Sequence, residues 1–176
     1  ASVKGPLSSA RSYLSATGNQ SFGYFGGGHF PGLSTVDRID YGNDTATAVV
    51  KGPLSVARQG TASTGNADFG YFGGGMGSTV PGTNISSMVN RVDYSNDTAT
   101  TVEKGPLSGV RRSAGATGNT SFGYFGGGES PSNPNYTHID RIDYSNDTAT
   151  ALTKGTLFDG RHNLGACSAG ANALPQ

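Results

Sequence analysis

The chain has little of what most folded domains rely on. Tryptophan is absent, cysteine occurs once, and only 14% of the 176 residues are charged. The lone Cys167 excludes an intrachain disulfide framework and a cysteine-based metal site. Twelve basic residues balance twelve acidic ones. No run of Lys or Arg forms a track for phosphates, so nucleic acid is a poor partner class. No apolar run approaches the ~20 residues that span a bilayer. No segment spaces Leu, Ala, Glu and Lys at the helical period, which removes long amphipathic helices. The chain opens on Ala1 without a signal-peptide core, the pattern of a processed chain, an excerpt or a sequence read from its first ordered residue.

What the chain does have is repetition. Lys4-Gly5-Pro6-Leu7-Ser8 returns at Lys51 to Ser55 and at Lys104 to Ser108, and starts again as Lys154-Gly155-Thr156-Leu157. Between these marks Phe22-Gly23-Tyr24-Phe25-Gly26-Gly27-Gly28 recurs as Phe69 to Gly75 and as Phe122 to Gly128. The spacings between successive Lys-Gly marks are 47, 53 and 50 residues, about the length of one four-stranded propeller blade. One repeat domain over 1–176 is expected, with units 4–50, 51–103 and 104–153 and a partial unit 154–176. Gly, Ser, Thr and Asn between short aromatic and β-branched runs read as all-β with tight turns. Disorder is the competing reading of such a composition, but the apolar positions recur in register through all three units.

Four extended segments emerge per unit. The first follows the Lys-Gly-Pro-Leu-Ser string, at 10–16, 57–63 and 110–116, with a turn expected at Thr17-Gly18-Asn19 and its equivalents. The second is the Phe-Gly-Tyr-Phe run, with aromatics at both parities, so both faces should be covered. The third runs over 36–41, 89–94 and 139–144 and ends in Asn-Asp-Thr turn chemistry. The fourth covers 46–50, 99–102 and 149–152. Pro6, Pro53 and Pro106 fall between strands, where a missing N–H costs nothing. Length varies mainly in the loops after the triple glycine, at 29–35, 76–88 and 129–138, and a loop of free length on a fixed scaffold is the one available for contacts.

This pattern resembles the kelch repeat. An aromatic run closes on a double glycine (Gly26-Gly27, Gly73-Gly74, Gly126-Gly127), then come Asp40-Tyr41, Asp93-Tyr94 and Asp143-Tyr144, then Pro-Leu-x-x-Ala-Arg at 6–11 and 53–58, with Val110 in place of Ala in the third unit. The resemblance covers residues 4–153 and implies a β-propeller-like array of about three four-stranded blades plus a partial fourth unit. One departure is the absent Trp after the turn, where this chain has Thr-Ala-Thr. An FG-GAP-type propeller is the alternative, although Asp93 to Asp97 matches only part of its calcium loop. The near-identical, low-complexity units are also similar to repeat proteins of marine phages, tail-fibre or other virion-surface proteins.

The candidate contact residues lie in or beside the variable loops: His29, Phe30, Met76, Asn84, Met88, Tyr136 and His138. Aromatic groups among small polar ones suit sugar rings. The histidines have no spaced carboxylate or cysteine partner, so no metal and no cofactor is expected. Asn43, Asn96 and Asn146 open glycosylation sequons but are turn residues first. The triple glycine lacks the helix and Lys-Ser of a phosphate loop and reads as a close-approach turn. Arg38 and Asp40, with their equivalents, share a strand face and read as rungs of structural ion pairs between strands or blades. Arg11, Arg58, Arg111 and Arg161 read as pins for loop carbonyls.

No nucleophile–base pair is legible, so an enzyme is not expected. Three blades are too few to close alone, and a unit begun at 154 leaves an edge, which is an interaction site by default. The expectation is a non-catalytic structural or recognition protein of an extracellular or virion surface. It would associate with copies of itself as a ring or fibre and touch glycans through its loops. Alternatives are a soluble adaptor for a protein partner and a fragment of a larger propeller enzyme.

Overall fold

The structure is a computed structural model and describes residues 1–29, 32–77 and 84–168. It is all-β and propeller-like. The first blade contains β1 (Ser15–Gly18), β2 (Phe22–Gly26), β3 (Val36–Asp40) and β4 (Val49–Lys51). A two-residue β5 (Arg58–Gln59) precedes the second blade, formed by β6 (Ala62–Gly65), β7 (Phe69–Gly73), β9 (Val89–Asp93) and β10 (Val102–Lys104), while β8 (Met76–Gly77) pairs back with β5. The third blade is β11 (Gly115–Gly118), β12 (Phe122–Gly126), β13 (His138–Asp143) and β14 (Leu152–Thr156). Each blade is an antiparallel meander in chain order, and β6 packs between β1 and β11, so the first strands form the inner edge of the array.

The core lies between blades. Tyr24, Val36, Leu54, Phe72 and Val92 form one buried cluster at the first seam, and Tyr71, Val89, Leu107, Phe125 and Ile142 form its counterpart at the second. The two parities of the Phe-Gly-Tyr-Phe strand explain this. Tyr24 faces the following blade, where its ring stacks on Tyr94 at 4.7 Å. Phe72, of opposite parity, faces the preceding blade and fills the space over Gly26. A Cβ at Gly26 would meet the Phe72 ring at 2.6 Å, so glycine here makes room for the neighbour's aromatic.

Two of the expected strands are displaced. The first begins later, at Ser15, and runs through Thr17-Gly18, which looked like turn chemistry. Residues 10–14 are instead a lead-in that carries Arg11 under the blade. Gly18 stays in the strand because the Phe22 carbonyl of the adjacent strand leaves no room for a Cβ. The fourth strand also begins later, at Val49, Val102 and Leu152. Ala48 instead donates its N–H to the Pro6 carbonyl. β14 continues through Gly155 and Thr156, pairing Thr156 with His138. At that position the other units have proline, which has no N–H for the ladder, and β4 and β10 stop before it.

Candidate functional site

Three arrangements gather the polar residues. The first lies under each triple glycine. Arg11 pairs with Asp37 at 3.0 Å and donates to the Phe25 carbonyl, and both charged side chains are fully buried. Arg111 pairs with Asp140 at 2.9 Å and donates to the Gly127 and His138 carbonyls. In the second blade Asn90 stands at the carboxylate position. Arg58 donates to the Gly74, Met88 and Phe72 carbonyls and to Asn90 Oδ1 at 2.7 Å. Burial pushes its guanidinium down to about 10, with distant Glu103 opposing. Gly74, at φ +68°, donates its N–H to the Met88 carbonyl and turns its Cβ direction against the Arg111 carbonyl, where no side chain fits. These arginines are structural pins. Arg161 differs: it is exposed, and its ion pair with Asp159 is long at 3.8 Å.

The second arrangement ties blade to blade. Asp97, in the Asn-Asp-Thr turn of the second blade, accepts from the Tyr24 hydroxyl at 2.9 Å and from Arg38 at 2.7 Å, and pairs with Lys51 at 3.2 Å. Asp147 repeats the node one blade on, with Tyr71 at 2.9 Å, Arg91 at 2.8 Å and Lys104 at 3.1 Å. Each arginine also lies over a phenylalanine, Arg38 on Phe22 and Arg91 on Phe69, both at 4.2 Å. Burial first, then the adjacent Asp97, holds Tyr24 above its ordinary value, and burial with Asp147 does the same to Tyr71. The expected ion-pair rungs therefore exist between blades, but Arg38 pairs with Asp97 rather than with its strand-mate. Asp40, Asp93 and Asp143 cap the turn after the third strand through the N–H of Gly42, Ser95 and Ser145.

The third arrangement is a cleft of about 310 Å³ lined by Tyr13, His29, Gln59, Gly60, Arg112, Ser113, Glu129 and Asn163. Tyr13, Gly60, Ser113 and Asn163 are equivalent positions, all left-handed, with φ between 55° and 63°. The Gly60 N–H donates to the Tyr13 carbonyl, Ser113 to Gly60, and Asn163 to Ser113, each at 2.8 Å. Non-glycine residues in this region store strain, which tends to gather at functional sites. Arg112 pairs with Glu129 at 2.9 Å and reaches the Met76 sulfur at 3.2 Å. Tyr13 meets His29 edge-on at 6.3 Å.

The expected loop residues are therefore divided. His29 lines this cleft with Glu129, Arg112 and Tyr13, which the sequence did not single out as contacts, while Met76 is buried and reaches only Arg112 of that group through its sulfur. Tyr136 and His138 lie apart, on the third blade, with rings 5.8 Å from each other. Tyr136 is half-buried over Arg111 and shares a hydrogen bond with Ser130 at 3.1 Å. Met88 offers its carbonyl to Arg58 and its sulfur to Ser55, while Asn84 is exposed and accepts from the Gly77 N–H. Phe30 lies outside the described residues. Asn43, Asn96 and Asn146 are exposed at the end of the turn after the third strand. Among the described residues no group of His, Cys, Asp or Glu is placed to hold a metal ion, and no helix is long and apolar enough to cross a membrane. No family model matches the chain, and no curated protein matches it.

Proposed function

We propose that this chain is a non-catalytic structural protein of an extracellular or virion surface, a kelch-like array that builds larger assemblies from copies of itself. One observation carries the reading. Asp97 and Asp147 each hold three groups of the preceding blade, whereas, among the described residues, the side chain of the equivalent Asp44 in the first blade holds only Lys4, at 3.2 Å. The recurring polar residues of the repeat go into joining blades, and the first blade presents an uncompleted copy of the same joint.

Recognition falls to the cleft around His29, Arg112 and Glu129. An ion pair, amide side chains and an exposed tyrosine edge match the hydroxyls and flat faces of sugar rings, so a surface glycan is the ligand class for this cleft. Light scattering over a concentration series tests the assembly reading. Mass rising above 17.9 kDa with concentration is the expected result, and a constant monomer mass up to millimolar protein would overturn it. A glycan array probed with wild type and Arg112→Ala tests the cleft, with binding lost in the variant.

A further inference from the structure

We infer that the joint between copies is head-to-tail, the third blade of one copy receiving the first blade of the next in the geometry that each internal seam already displays. This rests on the self-association proposed above and specifies its faces. Within the chain, a blade's phenylalanine fills the space over the preceding blade's glycine, Phe72 over Gly26 and Phe125 over Gly73. The series stops at Gly126, whose Cβ direction meets nothing nearer than Ile139 at 3.6 Å. A largely apolar cavity of about 430 Å³ opens there, bordered by Tyr124, Ile139 and Leu157. The matching plug is Phe25, still part-exposed where Phe72 and Phe125 are fully buried.

The charges complete the match. Arg141 lies over Phe122 at 4.2 Å, poised as Arg38 and Arg91 are, yet has no carboxylate partner among the described residues. Its counterpart would be Asp44 of the second copy, whose side chain is 41% exposed where Asp97 and Asp147 are 8% exposed. Tyr124, part-exposed, would donate to the same Asp44 and stack on Tyr41, which is 51% exposed. Lys4 already fills the lysine position of that node within the second copy. A heterologous contact of this kind repeats from copy to copy, closing a ring or extending a fibre.

One segment must give way. Residues 157–168 follow the course of a next blade's lead-in, with the Thr117 hydroxyl donating to the Cys167 carbonyl as Thr17 does to Thr64. The second copy's residues 7–18 claim that place, and its Lys4 claims that of Lys154 in β14. Ser168 stands where Gly18 does, and a Cβ there collides with the Phe22 carbonyl, so this segment cannot replace β1 in the next copy. It is also weakly held: Leu157 and Leu164 are only half-buried, where Leu54 and Leu107 are 2% exposed. It occupies the seat until a copy displaces it.

Charge exchange tests the joint. Asp44→Arg has a spoiled head and Arg141→Asp a spoiled tail. Each alone should stay at 17.9 kDa, with a melting transition confirming that it is folded. Mixed, they restore opposite charges at both kinds of joint and should associate in alternation as wild type does, and the double variant, whose charges are exchanged, should again associate. If both single variants associate as wild type does, self-association stands and this joint is wrong. If wild type is monomeric at every concentration, both fall. Leu164→Ser, which loosens the seated segment, should strengthen wild-type association several-fold. Unchanged or weaker association would show that the segment belongs to the joint.

Discussion

Asp97 and Asp44 occupy the same place in the repeat and have opposite surroundings. Asp97 is nearly buried and gathers a hydroxyl, a guanidinium and an ammonium from the neighbouring blade, while Asp44 keeps one half-exposed lysine. Phe72 against Phe25, Tyr94 against Tyr41 and Gly26 against Gly126 show the same contrast between an inner seam and an end face. What a repeat residue contributes here depends on having a neighbouring blade more than on its own type, as expected for arrays whose stability sums unit and interface terms.

Truncating the aromatic plugs should break this contrast most visibly. Phe72→Ala or Phe125→Ala empties a filled seam and should cost about 4 kcal/mol in urea unfolding, while Phe25→Ala should cost about 1 kcal/mol or less because its side chain is already part-solvated. Next comes overpacking. Gly26→Ala or Gly73→Ala drives a methyl into a phenylalanine ring and should lose about 2 kcal/mol, whereas Gly126→Ala meets only Ile139 and Leu157 at ordinary contact distance and should lose little. A smaller change sharpens the comparison between blades. Asn90→Asp would give buried Arg58 the carboxylate that Arg11 and Arg111 have, and should stabilise by about 1 kcal/mol; a loss would mean that the carbonyl set alone satisfies this arginine.

The smallest effect is with pH. Tyr24, Tyr71, Tyr94 and Tyr144 are all raised from 10.0, chiefly by burial, Tyr144 to about 12. A raised folded value means stability is full below pH 10 and lost as pH climbs through the folded values. Arg58, lowered from 12.5 to about 10, works in the opposite sense over the same range, but one group against four leaves a net fall. The urea midpoint should be lower at pH 11 than at pH 9, and an unchanged midpoint would place these tyrosines in water.

The all-β class and the second and third strands were legible because aromatic and β-branched residues alternate where both faces are covered. The first and fourth strands were misplaced at their ends for local reasons. Thr17-Gly18 carries turn residues, but its glycine answers a carbonyl across the sheet rather than a turn. Residues 45–48 extend a loop that closes on the preceding Lys-Gly-Pro. The Asp97 node was not legible, since it joins Tyr24 and Arg38 to a residue 73 and 59 positions away, and its aspartate sits in a motif that reads as a turn. Of the candidate contacts, His29 and Met76 were visibly equivalent in the alignment of units, and Glu129, not singled out as a contact, holds the same place after the third triple glycine. That His29 meets Tyr13, and that Met76 and Glu129 meet Arg112, depends on the lead-in segments that carry Tyr13 and Arg112.

The most direct test of the seam account is a paired urea titration of Asp97→Ala and Asp44→Ala, at a protein concentration low enough to hold both as monomers. Removing Asp97 strands two partly buried cations and a buried hydroxyl, so it should cost about 3 kcal/mol, while removing Asp44 loses one exposed ion pair and should cost under about 1 kcal/mol. Equal losses would contradict the claim that the joining of blades, rather than the repeat unit itself, holds this protein together.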